Sequence, residues 1–544
     1  MKRRKKIVAA ALIMAIGICE TGPAVCRAEA SDSDTDPFGR YEETVEITSV
    51  KNLGAGIEFP EGESLDDNVW TRLYEEELNI KVNWLWSTSS DQYDQKVNIA
   101  ITSNDIPDVM CVSATQLKLM YDNEQIMDIT DIAADYLADY TKEVLESDGG
   151  TGLASATFDD RLYAIPAVGA GLLSGEVLWV RTDWLENLGL ELPETVDDML
   201  AIAEAFSTQD PDGNGVDDTY GLAVTKDLYG TGFADLLGFF NAYNAYPTIW
   251  VNNDGTLEYG GISDEVKTAL GVLNEMYENG YIDPEFGVKD SSKVCEDVAA
   301  GKIGMMFGNY WNMAWINDAK VADPTYEWVP VAIPSLDGET AGKASLPMGT
   351  SSYYVISKDC ENPEAVIRLL NLQLEKNYGE SAEPDIYNIT PEGYGPYQYT
   401  VIAVEPPMKN ITAALKVTAV MNGEADEDTL NAEEDGYYQM CLEALAGNYG
   451  NNNWHQLKMW GPGGALGVMN TYWEEGNYVE EAYYAAPTET MTEKQSTLDK
   501  QMLQDYTTII LEGDLDLFDE FVANWYKLGG ETITEEVNAW YAEQ

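Results

Sequence analysis

Histidine is almost absent from this chain: His455 stands alone among 544 residues. A zinc site built on two histidines is thereby excluded, and a serine–histidine–aspartate arrangement would hang on one residue in an Asn-rich stretch. Cysteine is nearly as scarce. Of six, four lie beyond the first thirty residues, Cys111, Cys295, Cys360 and Cys441, widely spaced and with no Cys-x-x-Cys pair. They build no zinc or redox framework, and one disulfide or four half-buried thiols fit the spacing equally. Positive charge is short as well, with 31 Lys plus Arg against 95 Asp plus Glu and a net charge of -64. A field of that sign repels phosphate backbones and anionic lipid, which argues against nucleic-acid binding and fits solubility outside the cell. No apolar run after the first twenty residues approaches the roughly 20 needed to span a bilayer.

What is present begins with five basic residues, Lys2 to Lys6, followed by an apolar run from Ile7 to Cys19 and the small-residue stretch Ala28-Glu29-Ala30. This reads as a secretory signal over 1–30, ending either by cleavage near Ala28 or Ala30 or by lipid attachment at Cys19, which Ile18 precedes. Cleavage after Ala30 removes six basic and two acidic residues and leaves a charge of about -68. Residues 31–43 are acidic and broken by Pro37 and Gly39, a tether by composition. The remaining length suffices for two cores, since single cores stop growing at roughly 250 to 300 residues.

From Thr44 onward strand-like and helix-like segments alternate. Val45, Ile47 and Val50 open the series, Val69, Leu73 and Leu78 make a helical stripe, and Ile80, Val82, Trp84 and Trp86 follow with period two. Thr195 with Asp198 forms a capping box ahead of Val196, Met199, Leu200, Ala203 and Phe206. Ser263 starts a helix with Val266, Leu270, Leu273 and Tyr277 inward that stops before Gly280, and Pro363 opens another over Val366, Leu369 and Leu370. This alternation predicts an α/β fold, and no internal repeat or β-sandwich spacing supports a structural surface protein or adhesin.

One chemical motif stands out. Asp210, Asp212, Asn214 and Asp218 place side-chain oxygens at positions 1, 3, 5 and 9 of a loop with Gly215 at position 6 and the Val216 carbonyl at 7. Hard cations such as Ca2+ take such oxygen clusters, although position 12 is Gly221 where a complete loop has Glu. A turn without metal is the alternative.

Several segments in order, ITSNDIPDVM (101–110), RLYAIP (161–166), LWVRTDWLENLGLELPETVDDML (178–200), DPDGNGVDDTYG (210–221), AAGKIGMMFGNYW (299–311) and FVANWYKLGGETITEEVNAWY (521–541), resemble the extracellular solute-binding proteins of carbohydrate ABC importers. The resemblance is to the maltose-binding-protein class and its long lipoprotein branch. It implies a two-lobe periplasmic-binding-protein fold of type II, each lobe a mixed sheet flanked by helices, with the solute held between lobes and closure by hinge motion. Lobe 1 is expected over 44–165 plus about 347–380, and lobe 2 over 166–346 plus about 381–544. The crossings should fall near Ile165–Pro166 and Met348–Tyr353. Alginate-binding relatives carry a calcium loop with an acid where this chain has Thr219, a difference that weakens the site, and a Ca2+ bound here is expected to be structural, clamping a loop of lobe 2.

Sugar binding needs a flat apolar platform for the ring and carboxylates or amides for the hydroxyls. By resemblance Trp311, after the strand 303–307 and the turn Gly308-Asn309, is the stacking residue, and Asp105 is the hydroxyl acceptor. The two are expected to face one cleft. Bottom-up, the Asp105 loop also reads as a helix N-cap, and Asp108 as structural. Further ligand candidates are Asn309, Tyr310, Trp84, Trp86, Met348 and Trp454. Trp179 and Trp184 read as packing residues, with Arg181 and Asp183 fixing a strand-to-helix turn. The expectation is a monomeric, non-enzymatic binding protein for a carbohydrate, probed against a peptide or other small solute and against a hydrolase or lyase acting through paired carboxylates. Its partners would be the permease subunits of an ABC importer, and its place the extracellular face of the membrane, lipid-anchored through Cys19 or else secreted or periplasmic.

Overall fold

The computed structural model describes residues 35–54, 57, 59–169, 171–350 and 352–544. The signal segment and Cys19 lie outside the described residues. Nine strands carry the architecture: β1 (Val45–Asn52), β2 (Ile80–Thr88), β3 (Val109–Val112), β4 (Ala164–Pro166), β5 (Val177–Arg181), β6 (Tyr220–Leu222), β7 (Ile303–Gly308), β8 (Trp328–Val331) and β9 (Tyr353–Ile356). Nine helices matter below: α1 (Ser90–Ser103), α2 (Val196–Thr208), α3 (Asp264–Glu278), α4 (Pro363–Tyr378), α5 (Lys409–Met421), α6 (Ala432–Leu445), α7 (Asn453–Trp460), α8 (Glu489–Glu512) and α9 (Glu531–Tyr541).

The strands form two mixed sheets, in the orders β2-β1-β3-β9-β4 and β8-β5-β7-β6. In the first, β2 and β3 run parallel to β1 while β9 is antiparallel to β3 and β4. In the second, β7 is antiparallel to β5 and parallel to β6. The chain thus leaves the first sheet at Pro166, builds the second, and returns after Leu346 to β9. The outgoing and returning segments touch: Ala167 N–H donates to Ser352 O at 2.9 Å. A Cβ on Gly171 would stand 2.9 Å from Gly349 Cα, so backbone-to-backbone approach demands glycine there. This is the two-lobe α/β architecture anticipated from the sequence.

Local signals hold where they act locally. Thr195 and Asp198 cap α2 reciprocally, Ser263 caps α3, and Pro363 opens α4. Arg181 Nε donates to Asp183 Oδ1 at 2.7 Å at the turn after β5, and Trp179 and Trp184 are buried beside it. The four cysteines are all free thiols. On β2 the period-two expectation breaks. A bulge between Ser49 and Val50 pairs these residues with Trp84 and Trp86, which leaves Leu85 exposed and sends the two tryptophans to different cores.

The segment expected to be a tether through residue 43 is docked from Pro37 onward. Asn371 Nδ2 donates to Pro37 O at 3.0 Å, Tyr41 OH donates to Glu364 Oε1 at 2.7 Å, and the Arg368 guanidinium lies 4.6 Å from the Tyr41 ring centre. The C-terminal stretch, expected as part of lobe 2 from about 381, divides three ways. Tyr399, Val401, Ile402 and Val404 join the core of the first sheet beside Ile47, Trp70 and Leu369. Helices α5–α7 form a separate layer whose core includes Leu172, Leu173 and Leu346 of the crossing region. The remainder completes the second sheet's body: Tyr506 of α8, Trp525, and Ile533 and Val537 of α9 pack with Phe239 and Leu270, while Trp454 of α7 packs on the sheet's other core with Trp179 and Trp328.

Candidate ligand-binding site

Strand β7 ends against the crossing, where Gly308 gives way to Asn309-Tyr310-Trp311. Gly308 has φ 157°, and Asn312 Oδ1 lies 2.0 Å from where a Cβ would project, so a side chain is excluded. Asn309 N–H and Asn312 Nδ2 both donate to Gly232 O, at 2.9 and 2.6 Å. The Asn309 amide donates to Leu173 O at 3.2 Å, which ties this turn to the crossing. Asn309 is therefore a fixing residue. Tyr310, held on that turn, lines a cavity of about 340 Å³, within the range of small-molecule pockets.

Three other walls close this cavity. Asn388, Ile389 and Tyr397 come from a segment seated on the first body, where Trp70 Nε1 donates to Tyr387 O at 3.2 Å. Glu405, Lys409 and Asn410 come from the entry to α5. Glu433 and Tyr437 on α6, with Gln456, Met459 and Trp460 on α7, form the floor. Asn431 caps α6 through a reciprocal box with Glu434, which sets the register that puts Glu433 and Tyr437 one turn apart on one face. The Tyr437 and Trp460 rings stack with centroids 3.9 Å apart and planes 9° apart.

The polar groups divide into engaged and free. Glu433 is buried and held by three donors: Lys409 Nζ at 2.6 Å and Tyr437 OH at 2.9 Å donate to Oε1, and Asn388 Nδ2 at 3.0 Å donates to Oε2. Burial pushes the Glu405 carboxyl up, with Lys409 opposing and Glu433 reinforcing the rise. Burial also raises the Tyr397 phenol, helped by both glutamates. Gln456 Oε1 and Trp460 Nε1 are buried with no hydrogen-bond partner. A buried donor and acceptor left open cost about 1 to 3 kcal/mol each unless something binds them. Together with flat ring faces, these suit a ligand carrying both apolar C–H surface and hydroxyls.

The bacterial extracellular solute-binding protein family matches residues 56–378, more than half of the chain. The chain belongs to that family. Lipoprotein LipO of Bacillus subtilis is 27% identical over 478 residues, covering 85% of this chain and 86% of LipO. The polygalacturonan/rhamnogalacturonan-binding protein YtcQ of Bacillus subtilis is 24% identical over 470 residues, covering 84% and 85%. The structure of the Streptococcus pneumoniae ABC-transporter substrate-binding protein FusA in complex with kestose aligns with a TM-score of 0.58 over 92% of this chain and 99% of FusA, at 17% identity. An EF-hand mutant of FusA with fructo-nystose aligns at 0.57 over the same shares, at 18% identity. Those likenesses establish the type II two-lobe fold for this solute-binding protein.

Within it, the residues anticipated from sequence scatter. Asp105 follows α1, whose 14 residues carry the chain from the carboxyl end of β2 back by about 20 Å to the amino edge of the sheet. Its N–H donates to Ala100 O at 3.1 Å beside the left-handed Asn104, so it closes a helix C-terminus and caps no N-terminus. Trp311 is at the carboxyl end of β7, half-buried against Trp315 at 5.3 Å. The structure does not bring Asp105 and Trp311 to one cleft. Asp108 is structural as read, accepting from Thr48 N–H at 2.8 Å and Thr48 OH at 2.7 Å.

Trp454 is a core residue, 1% exposed, donating to Glu327 Oε1 at 3.2 Å. Trp84 donates to Leu65 O at 3.1 Å, and Trp86 packs on Tyr93 with Lys96 over its ring at 5.0 Å. Met348 is half-buried on the returning crossing. Of the eight candidates only Tyr310 lines the cavity. Glu405, Lys409, Trp460 and the Glu433–Tyr437 pair were missed because they come from a loop and three different helices that no sequence spacing links. The one local signal was the Asn431 cap, which phases Glu433 and Tyr437.

The acidic loop folds around its own asparagine. Asn214 Nδ2 donates to Asp212 Oδ2 at 2.8 Å and Asp218 Oδ1 at 3.2 Å, and Gly215 N–H donates to Asp210 Oδ2 at 3.1 Å. Burial first, then the Asp210 and Asp218 charges, raise Asp212. Among the described residues no three acidic, His or Cys side chains gather closely enough to hold an ion as they stand. The donor chemistry fits a hard cation, and Asn214 would have to turn its amide oxygen inward to join.

Proposed function

We propose that this protein captures a carbohydrate, an oligosaccharide in size, in the cavity between the first body and helices α5–α7, and delivers it unchanged to the membrane subunits of an ABC importer. The observation that carries the reading is the stacked Tyr437–Trp460 pair beside the partnerless Trp460 Nε1 and Gln456 Oε1, at a junction of segments from both sides of the crossing. The names of YtcQ and of the FusA–kestose complex support a sugar and an ABC importer. Titrating oligosaccharides into the purified protein should change tryptophan fluorescence with one-site saturation, and the recovered sugar should be intact. Cleavage of the sugar would contradict the transport reading.

The loop from Asp210 to Asp218 is proposed to hold a structural Ca2+ through Asp210, Asp212, Asn214, Asp218 and the Val216 carbonyl, and the similarity to FusA, of which an EF-hand mutant structure is known, supports it. Calcium should raise the melting temperature by several degrees over chelator; an unchanged temperature contradicts it. For location, similarity to the lipoprotein LipO supports anchoring at Cys19 on the outer face of the membrane. Cys19→Ser should then move the protein from the membrane fraction to the medium, and unaltered fractionation would contradict the anchor.

A further inference from the structure

We infer that the cavity selects uncharged glycans and rejects those bearing uronate carboxylates, with Glu405 as the discriminating residue. This rests on the reading of the cavity as the sugar site. Two carboxylates and one ammonium line it, and the ammonium is already committed, since Lys409 Nζ lies 2.6 Å from Glu433 Oε1. Glu433 is held by three donors. What remains for a ligand is Glu405, which enters no ion pair among the described residues, with the partnerless but buried Gln456 Oε1 and Trp460 Nε1 behind it, reached once the wall around them opens.

Two of those three are acceptors. A sugar hydroxyl donates to an acceptor and accepts from a donor, so it satisfies all three groups. The ionised carboxylate that a uronate carries in place of a hydroxymethyl group only accepts. That group can accept from Trp460 Nε1 but cannot donate to Gln456 Oε1, and it brings a further negative charge beside Glu405 in a partly buried site, where like charges repel more strongly than in bulk. The chain's net charge of -64 adds to the same bias at long range. No free cation lines the cavity among the described residues to reverse the preference. The inference parts this chain from a binder of polygalacturonan, whose repeating unit is a uronate.

Calorimetry with the full chain tests it, using nystose, cellotetraose, maltotetraose and lacto-N-tetraose as uncharged probes and tetragalacturonate and tetramannuronate as charged ones. Saturable heat is expected from at least one uncharged probe and none from either uronate. In Glu405→Gln the ratio of uronate to uncharged affinity should rise at least about tenfold. A uronate that binds wild type as tightly as the best uncharged probe overturns the charge selection and leaves a sugar cavity standing. Heat from neither class overturns the sugar reading and the selection with it. A ratio unmoved in Glu405→Gln removes that residue as the discriminator, and if that variant fails to fold, the wild-type panel decides alone.

Discussion

Acidic side chains do opposite things in two regions of this protein. In the loop from Asp210 to Asp218 they stay largely at the surface, and the Asn214 amide between them donates to Asp212 and Asp218. Around the crossing and the cavity they are withdrawn from water: Glu405, Glu433 and, nearby in the chain fold, Glu176 and Glu481 are held by backbone N–H groups, a lysine or burial alone. The same residue type is left in water in one place and packed among buried partners in the other. Burial, and not the count of acids, decides which.

The largest expected effect that breaks or keeps this contrast is at the cavity floor. Trp460→Ala removes the stacking face and the open Nε1, and sugar affinity should fall at least about 100-fold, read by calorimetry on protein shown to be folded by its melting curve. Next comes a buried acid outside the cavity. Glu481 accepts from Trp250 N–H at 3.0 Å and Tyr483 N–H at 2.8 Å, and burial lifts its carboxyl from 4.5 to about 7. The folded state therefore holds that proton more tightly than the unfolded chain does. Its contribution to stability is present below pH 4.5 and is lost as the pH rises to about 7, a change of about 3 kcal/mol. Denaturant unfolding between those pH values should show it, and Glu481→Gln should flatten the curve.

Smaller effects belong to the exposed acids. Asp212→Asn should raise the melting temperature by about 1 to 3 °C in chelator, by easing repulsion from Asp210 and Asp218, and should remove any gain from calcium. Sugar affinity should not change in it. Smallest of all, Asp105→Ala, at the far edge of the first sheet, should leave sugar affinity within about twofold of wild type. A large loss there would restore the site first expected from the sequence.

That expectation failed for a physical reason. The Ser103–Asp108 motif marks where a chain enters a strand, and a motif carries no sign of which end of the sheet it occupies. Only the length of α1 and the parallel pairing of β1 with β3 reveal that Asp105 lies at the amino edge. Features whose partners are two or three residues away, such as Arg181 with Asp183 or Thr195 with Asp198, were legible because their physics is local. The cavity was not, since its residues come from 310 to 460 and meet only through packing. The bulge at Leu85 likewise escaped, because alternation in sequence assumes an unbroken ladder.

Hydrogen–deuterium exchange of the full chain, with and without the uncharged glycan that gives heat in calorimetry, tests the central claim most directly. The account predicts ligand protection concentrated in peptides covering 405–412, 433–438 and 455–461 and in the 309–311 turn, with none over 98–106. Protection over 98–106 with 405–461 unchanged would contradict it.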